Sequence, residues 1–314
     1  MISCTEFIPA YSELFSFLDE RFGREEVDRL WHFLFKPDGK GIPLINFIQK
    51  EGIRGCFTYW SGTLSEEASD CTLYLNEKAG WYLSVMHHCP SKGRLLELKD
   101  KLGIVPYYDY CLHCACYDSA LEKVGLKRYK IYPKADETAC SSLIFDPKVF
   151  KGGVIFDENT ETRAFKSSEQ EYFHPDFHSS MNMGLLYVGQ THGTEVVRDY
   201  LTRYAKNVYA GVIAAAKEHG LSPIEALIRE TYRLEKASDA LSVENNGEKL
   251  TVTIAYCPAV KHLRATGREV CEWFALSTET VMQTIANESG IGFEMIAYDA
   301  QTGAAKYTFE RSKL

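Results

Sequence analysis

The 314-residue chain carries 35 basic and 43 acidic residues, a formal charge of −8, with 45% apolar and 13% aromatic residues. That composition excludes long intrinsic disorder, a collagen-like repeat and a pure coiled coil. No apolar run approaches the roughly 18–20 residues that span a bilayer, and a net acidic chain without a long Lys/Arg run offers no footprint for nucleic acid.

Residues Met1–Glu6 lack the basic and apolar regions of a signal peptide, so the expectation is a cytoplasmic protein whose thiols are reduced. Eight of the ten cysteines precede residue 150.

In chain order, Leu14, Phe15, Leu18, Phe22, Val27, Leu30, Trp31 and Leu34 recur at helical spacing, with Gly23 dividing two helices within 11–35. A further helix is expected over 42–51, stopped near Gly52. The period then changes, predicting strands at 71–75 and 81–86 around a turn at 76–80. Helices at 91–102 and 109–124 follow, then a hairpin of 127–132 with 141–145. Residues 149–172 are polar and poor in periodicity, which predicts a connecting segment holding one short strand at 154–156. Beyond it, helices are expected at 178–190, 194–216 and 222–236, where Ser222-Pro223 places Pro at the first helical position. A hairpin turns at Asn245-Asn246-Gly247. Helices at 259–266 and 268–288 and a hairpin through Asp299–Gly303 complete the chain.

The two halves repeat one plan. His88-Cys89-Pro90 recurs 168 residues later as Tyr256-Cys257-Pro258, and Phe22-Gly23-Arg24-Glu25-Glu26-Val27 recurs 170 residues later as His192-Gly193-Thr194-Glu195-Val196-Val197. Such self-similarity points to duplication. The expected fold is α+β: two tandem copies, residues 1–148 (Cys-rich) and 173–314, joined by 149–172 and arranged as a pseudo-twofold dimer. Each copy is a helical segment plus an antiparallel sheet with packed helices.

The densest chemistry lies in Asp109-Tyr110-Cys111-Leu112-His113-Cys114-Ala115-Cys116-Tyr117-Asp118. On a helix Cys111 and Cys114 share a face. With Cys89 and Cys140 brought in by the hairpins, the four thiols form a candidate site for zinc or another divalent metal. The competing reading makes Cys111 a nucleophile, its thiolate favoured in the first helical turn, with His113, His87 or His88 as base. Plain core packing of these cysteines is the third reading. Around them, His88, Cys89, Tyr110 and Tyr117 are candidate substrate-binding residues, and Tyr107 and Tyr108 add aromatic surface suited to a pocket. A second constellation, Phe173-His174-Pro175-Asp176-Phe177-His178, gathers His174, Asp176 and His178 at a helix start, with Asp176 as cap. There Asp176 and His178 are a candidate base pair, or the imidazoles a metal pair, and His174 a substrate contact. No phosphate-cradling glycine loop, G-x-S-x-G elbow or His-Glu-x-x-His occurs.

Cys89-Pro90 after a strand, Cys111 opening a helix and Cys140 on the closing hairpin resemble the L-2-amino-thiazoline-4-carboxylic acid hydrolase family. The pattern is also similar to the broader group of four-vinyl-reductase-type domains and TRAPP subunits. The second copy keeps Cys257-Pro258 and Cys271 but has Ala305 where Cys140 would fall. The resemblance implies a ligand-binding fold, pairing into a homodimer, and hydrolytic opening of a small nitrogen- or sulfur-containing ring. The alternative it implies is a non-catalytic module that binds a small molecule or metal.

Overall fold

The computed structural model describes residues 1–35 and 43–311. It is α+β, with twelve α-helices and two antiparallel sheets of five and four strands among the described residues. Contacts divide the chain into two compact units, residues 18–174 and residues 1–17 with 175–314. The division differs from the one expected at 148–173, because the first seventeen residues join the C-terminal unit and residues 149–174 join the first.

Helix α1 (Phe7–Phe22) runs across the unit boundary and stops at Gly23, after which α2 (Arg24–Leu34) begins. Gly23 sits at φ 90, ψ 163, a region closed to side chains with a Cβ, so the break needs glycine. In the unit 18–174 there follow α3 (Leu44–Glu51), α4 (Arg54–Glu66), β1 (Asp70–Asn76), β2 (Trp81–His88), α5 (Pro90–Leu102), α6 (Tyr117–Lys123), β3 (Lys127–Ile131), β4 (Cys140–Phe145) and β5 (Glu161–Phe165). Residue 42, the expected start of α3, lies outside the described residues. Residues 109–124 are not one α-helix: Tyr110–Cys116 is a 3-10 helix and only Tyr117–Lys123 is α. The strand expected at 154–156 forms instead at β5, which pairs with β1.

The strand order is β3-β4-β2-β1-β5. One face of β1 buries Cys71, Leu73 and Leu75, and helices α3, α4 and α6 contribute Leu44, Ile48, Phe57, Leu64, Ala120 and Leu121 to the same core. Trp60 lies flat on Tyr82, ring centroids 5.6 Å apart with 7° between the planes. Each aliphatic side chain buried here contributes about 1.5–3 kcal/mol relative to exposure. The core therefore holds the sheet to the helices and fixes what hangs from its edges.

The C-terminal unit holds α7 (Phe177–His192), α8 (Thr194–Val208), α9 (Ala210–His219), α10 (Ser222–Leu234), β6 (Leu241–Asn245), β7 (Lys249–Ile254), α11 (Pro258–Ala265), α12 (Leu276–Glu288), β8 (Ile291–Tyr298) and β9 (Ala305–Arg311). The helix expected over 194–216 divides at Tyr209, and α12 starts eight residues later than expected. Its sheet runs β6-β7-β9-β8. In chain order this is first, second, fourth, third strand, the same sequence of neighbours as β1-β2-β4-β3.

Local details recur as well. Gly193, between α7 and α8, takes φ 86, ψ 170, nearly the angles of Gly23. Cys89 and Cys257 both precede a proline at the first helical position, with φ −70, ψ 121 and φ −90, ψ 121. Cys140 faces Met86 across the ladder and Ala305 faces Ile254, each partner three residues before the Cys-Pro.

Candidate active site

Strand β3, at the sheet edge, alternates strictly. Tyr129 and Ile131 are exposed, and Arg128 and Lys130 point the other way, toward the 3-10 segment. Arg128 is almost wholly buried: its Nη2 donates to the Cys114 carbonyl at 2.7 Å and its Nε pairs with Asp118 Oδ1 at 2.7 Å. One guanidinium thus clips the end of the 3-10 segment and the first turn of α6 to the strand.

In a 3-10 helix residues i and i+3 eclipse, so Cys111 and Cys114 stack in one column and Tyr110 and His113 in the next. Nδ1 of His113 donates to the Tyr110 carbonyl, and Nε2 lies 3.8 Å from the Cys114 sulfur. A carbonyl only accepts, so Nδ1 carries a proton and Nε2, beside the sulfur, can take one from the thiol. Trp31 and Phe35 lie beside the ring, with centroids 6.5 and 6.4 Å away.

The electrostatics single out Cys114. Burial pushes its thiol up, but the Lys130 ammonium and the His113 imidazole, each also hydrogen-bonded to the sulfur, outweigh burial and hold it well below the ordinary range. His113 and Lys130 are both held above their usual values: burial opposes their charge, and the Cys114 thiolate more than offsets it. Cys111 behaves oppositely, as burial and the neighbouring Cys114 charge push it up to about 11. Cys116 is raised to about 12 by burial and Cys114. Cys140 at the start of β4 is raised by burial, against the pull of Lys130. Cys89, also raised by burial, caps α5 by accepting the Lys92 N–H at 3.5 Å. The activation that spacing suggested for Cys111 thus falls three residues later.

Glu67, just past the end of α4, completes the group. Burial raises its carboxyl, His174 and His113 pull it down, and the Cys114 charge adds to the rise. A thiol held low and a carboxyl held high sit in one electrostatic neighbourhood, the pattern by which a nucleophile and a proton donor are separated at one pH.

Other candidates lie elsewhere. His88 is exposed, with Nδ1 3.0 Å from Thr138 Oγ1, and packs so close to Gly93 that a Cβ there would collide with its ring. His87 is exposed beside Thr72. Tyr110 is buried. Tyr117 packs against Phe35 and Trp60, with centroids 5.0 and 5.7 Å away. Tyr107 Oη donates to Asp19 at 2.9 Å, as does exposed Tyr108 at 2.8 Å. His174, Asp176 and His178 take three different partners. His174 Nδ1 meets Glu66 Oε2 at 2.6 Å, Asp176 pairs with Arg268 at 2.9 Å and His262 at 3.3 Å, and buried His178 meets Glu235 Oε2 at 2.9 Å. Cys89, Cys111, Cys114 and Cys140 do not supply three ligand atoms within 4.8 Å of one another among the described residues. None of the ten cysteines forms a disulfide.

Lys130, Arg128 and Glu67 were not anticipated. The alternation Lys127-Arg128-Tyr129-Lys130 on an expected strand would have placed Arg128 and Lys130 on one face. Nothing in the sequence signals Glu67, which follows a helix that was not anticipated.

A cavity of about 440 Å³ in the same unit, lined by Ile48, Ile53, Glu77, Lys123, Leu126 and Asp146, includes none of the cysteines. No helix among the described residues is long and apolar enough to cross a membrane. Comparison with protein-family models, with curated proteins and with solved structures finds no match to this chain.

Proposed function

We propose that residues 18–174 carry a thiol-dependent hydrolytic site with Cys114 as nucleophile, acting on a small cyclic amidine of the aminothiazoline carboxylate type. The observation that carries the reading is the Cys114 sulfur 3.8 Å from His113 Nε2, its thiol held well below the ordinary range by Lys130 and His113, in the electrostatic neighbourhood of a Glu67 carboxyl that burial raises. The substrate class comes from the resemblance of Cys89-Pro90, Cys111 and Cys140 to the aminothiazoline hydrolase pattern.

The chemistry follows from these groups. Cys114 Sγ attacks the amidine carbon, forming a carbon–sulfur bond. The ring carbon–sulfur bond then breaks, and the departing sulfur takes a proton from Glu67 or from the His113 imidazolium. Water adds to the enzyme-bound isothiourea and expels the Cys114 thiolate. Its oxygen becomes the carbonyl of an N-carbamoyl product, and its protons restore the nitrogen and the donor. Lys130 stays charged throughout and favours the thiolate both as attacker and as leaving group.

The strand order, the paired Gly23 and Gly193 and the two Cys-Pro caps support reading the halves as copies of one ancestral unit. On that reading Ala305 opposite Ile254 leaves the second copy without the counterpart of Cys140, consistent with chemistry in one copy only.

The test is turnover of 2-aminothiazoline-4-carboxylate by the wild-type chain beside Cys114→Ser and Cys111→Ser. The reading predicts activity lost in the first and largely kept in the second. Absence of turnover by the wild type across related cyclic amidines overturns the substrate class, and full activity of Cys114→Ser overturns the nucleophile.

A further inference from the structure

A second cluster of metal-ligating side chains lies in the C-terminal unit and has no part in the chemistry above. Cys4 sits in the turn leading into α1, His178 is the second residue of α7, and Glu235 follows the last residue of α10. Their relative exposures are 0%, 3% and 5%. The Cys4 sulfur, a nitrogen of His178 and a carboxylate oxygen of Glu235 all lie within 4.8 Å of one another. Glu235 Oε1 accepts the Cys4 backbone N–H at 2.6 Å, and Oε2 faces His178 Nε2 at 2.9 Å. The carboxylate is therefore fixed between the Cys4 backbone and the His178 ring by bonds spanning 231 and 57 residues of sequence.

Burying three polar side chains costs several kcal/mol unless every charge is compensated. A divalent cation is matched by the three side chains themselves: one thiolate and one carboxylate neutralise it, and a neutral imidazole completes the set. Zinc bonds of about 2.3 Å to sulfur and about 2.0–2.1 Å to nitrogen or oxygen put tetrahedral donors roughly 3.3–3.8 Å apart. That spacing fits within the separation found here. Sulfur, imidazole and carboxylate donors together select a borderline cation over calcium or magnesium, which take oxygen. The neighbouring carboxylate, Asp176, is already committed to Arg268 and His262 and is not a fourth donor.

We propose that Cys4, His178 and Glu235 bind one zinc ion, with water in the fourth position, tying residues 1–17 to the ends of α7 and α10. On binding, the Cys4 thiol and the ligating imidazole nitrogen give up any protons they carry to solvent, so uptake releases acid.

The experiment uses the full chain, stripped with a chelator and reloaded with zinc alone or cobalt alone. The expected result is about one equivalent of retained metal and a cobalt spectrum with a thiolate charge-transfer band and tetrahedral d–d bands. Cys4→Ser should abolish the band. Glu235→Gln, which keeps the side chain's shape, should weaken zinc binding at least about tenfold. Cys114→Ser should leave both unchanged. The proposal is overturned if the wild type retains no zinc after desalting, if the band survives in Cys4→Ser, or if it vanishes in Cys114→Ser. Circular dichroism of Glu235→Gln separates lost affinity from lost fold, and loading of the wild type requires no variant to fold.

Discussion

His113 and Cys114 are adjacent in sequence, and with His113 Nδ1 bonded back to the Tyr110 carbonyl, Nε2 of one lies 3.8 Å from Sγ of the other. Neighbouring residues on a regular α-helix point about 100° apart and rarely meet. The meeting here comes from the His113 ring bending back onto the Tyr110 carbonyl, on a segment that Arg128 holds to β3 through the Cys114 carbonyl and Asp118. Cys114, His113 and Lys130 are brought together by one strand and one short turn.

Glu67→Gln separates proton donation from nucleophilicity. If Glu67 protonates the leaving sulfur, turnover of the ring substrate should fall by about 10²–10⁴-fold. The rate at which a small alkylating agent labels Cys114 should stay within a factor of a few. Steady-state kinetics beside the labelling rate checks both. Equal losses in the two assays would place Glu67 in the support of the thiolate.

The same substitution has a pH signature in stability. Burial raises the Glu67 carboxyl in the folded chain, so folding favours its protonated form. That contribution is complete below the unfolded value, about 4.3, and is lost as pH rises through the raised folded value. Between those two points the wild type should lose stability relative to Glu67→Gln by at most about 1.4 kcal/mol per pH unit. Urea unfolding of both proteins from pH 4 to pH 8 measures the difference, and a gap independent of pH would contradict it.

Gly303→Ala probes the second Cys-Pro cap. Gly303 sits at φ +68, and a Cβ there would run into Cys257 Cβ and reach 3.0 Å from Val260 Cγ2. Left-handed strain of about 1–2 kcal/mol adds to overpacking of about 1–3 kcal/mol. The expected outcome is a clearly lowered Tm, read by thermal unfolding. Gly247→Ala, at positive φ but with open space around its Cβ position, should pay only the strain.

What was legible in the sequence is what short-range physics decides. Gly23 and Gly193 break helices because only glycine takes their backbone angles, Asn246-Gly247 turns a hairpin, and Cys-Pro starts a helix. The less legible parts depend on tertiary context. Helix α4 holds Gly55 and Gly62, and Gly55 packs against the backbone of α3 at Phe47, so its glycines read as breaks. Strand β5 is almost entirely exposed and shows no apolar alternation, its place fixed by pairing with β1. Asp109–Val124 has helical apolar spacing, and its tightening to a 3-10 turn goes with contacts distant in sequence, such as the bonds from Arg128 to Cys114 and Asp118 and from Arg24 to Asp109. The motif His174-Pro175-Asp176-Phe177-His178 looked like one site because its residues are close in sequence. Glu66, Arg268 and Glu235, each distant along the chain, claim them separately.

The rate of Cys114 alkylation as a function of pH tests the central claim most directly, with the labelled residue located by fragment mass spectrometry. A thiolate held by Lys130 and His113 predicts labelling that is already fast and nearly flat at neutral pH, with a midpoint well below the free-thiol value of about 8.5. In Lys130→Met the midpoint should move upward. Labelling that falls first on Cys111, or that rises at Cys114 with the midpoint of an ordinary thiol and ignores Lys130→Met, would contradict the account.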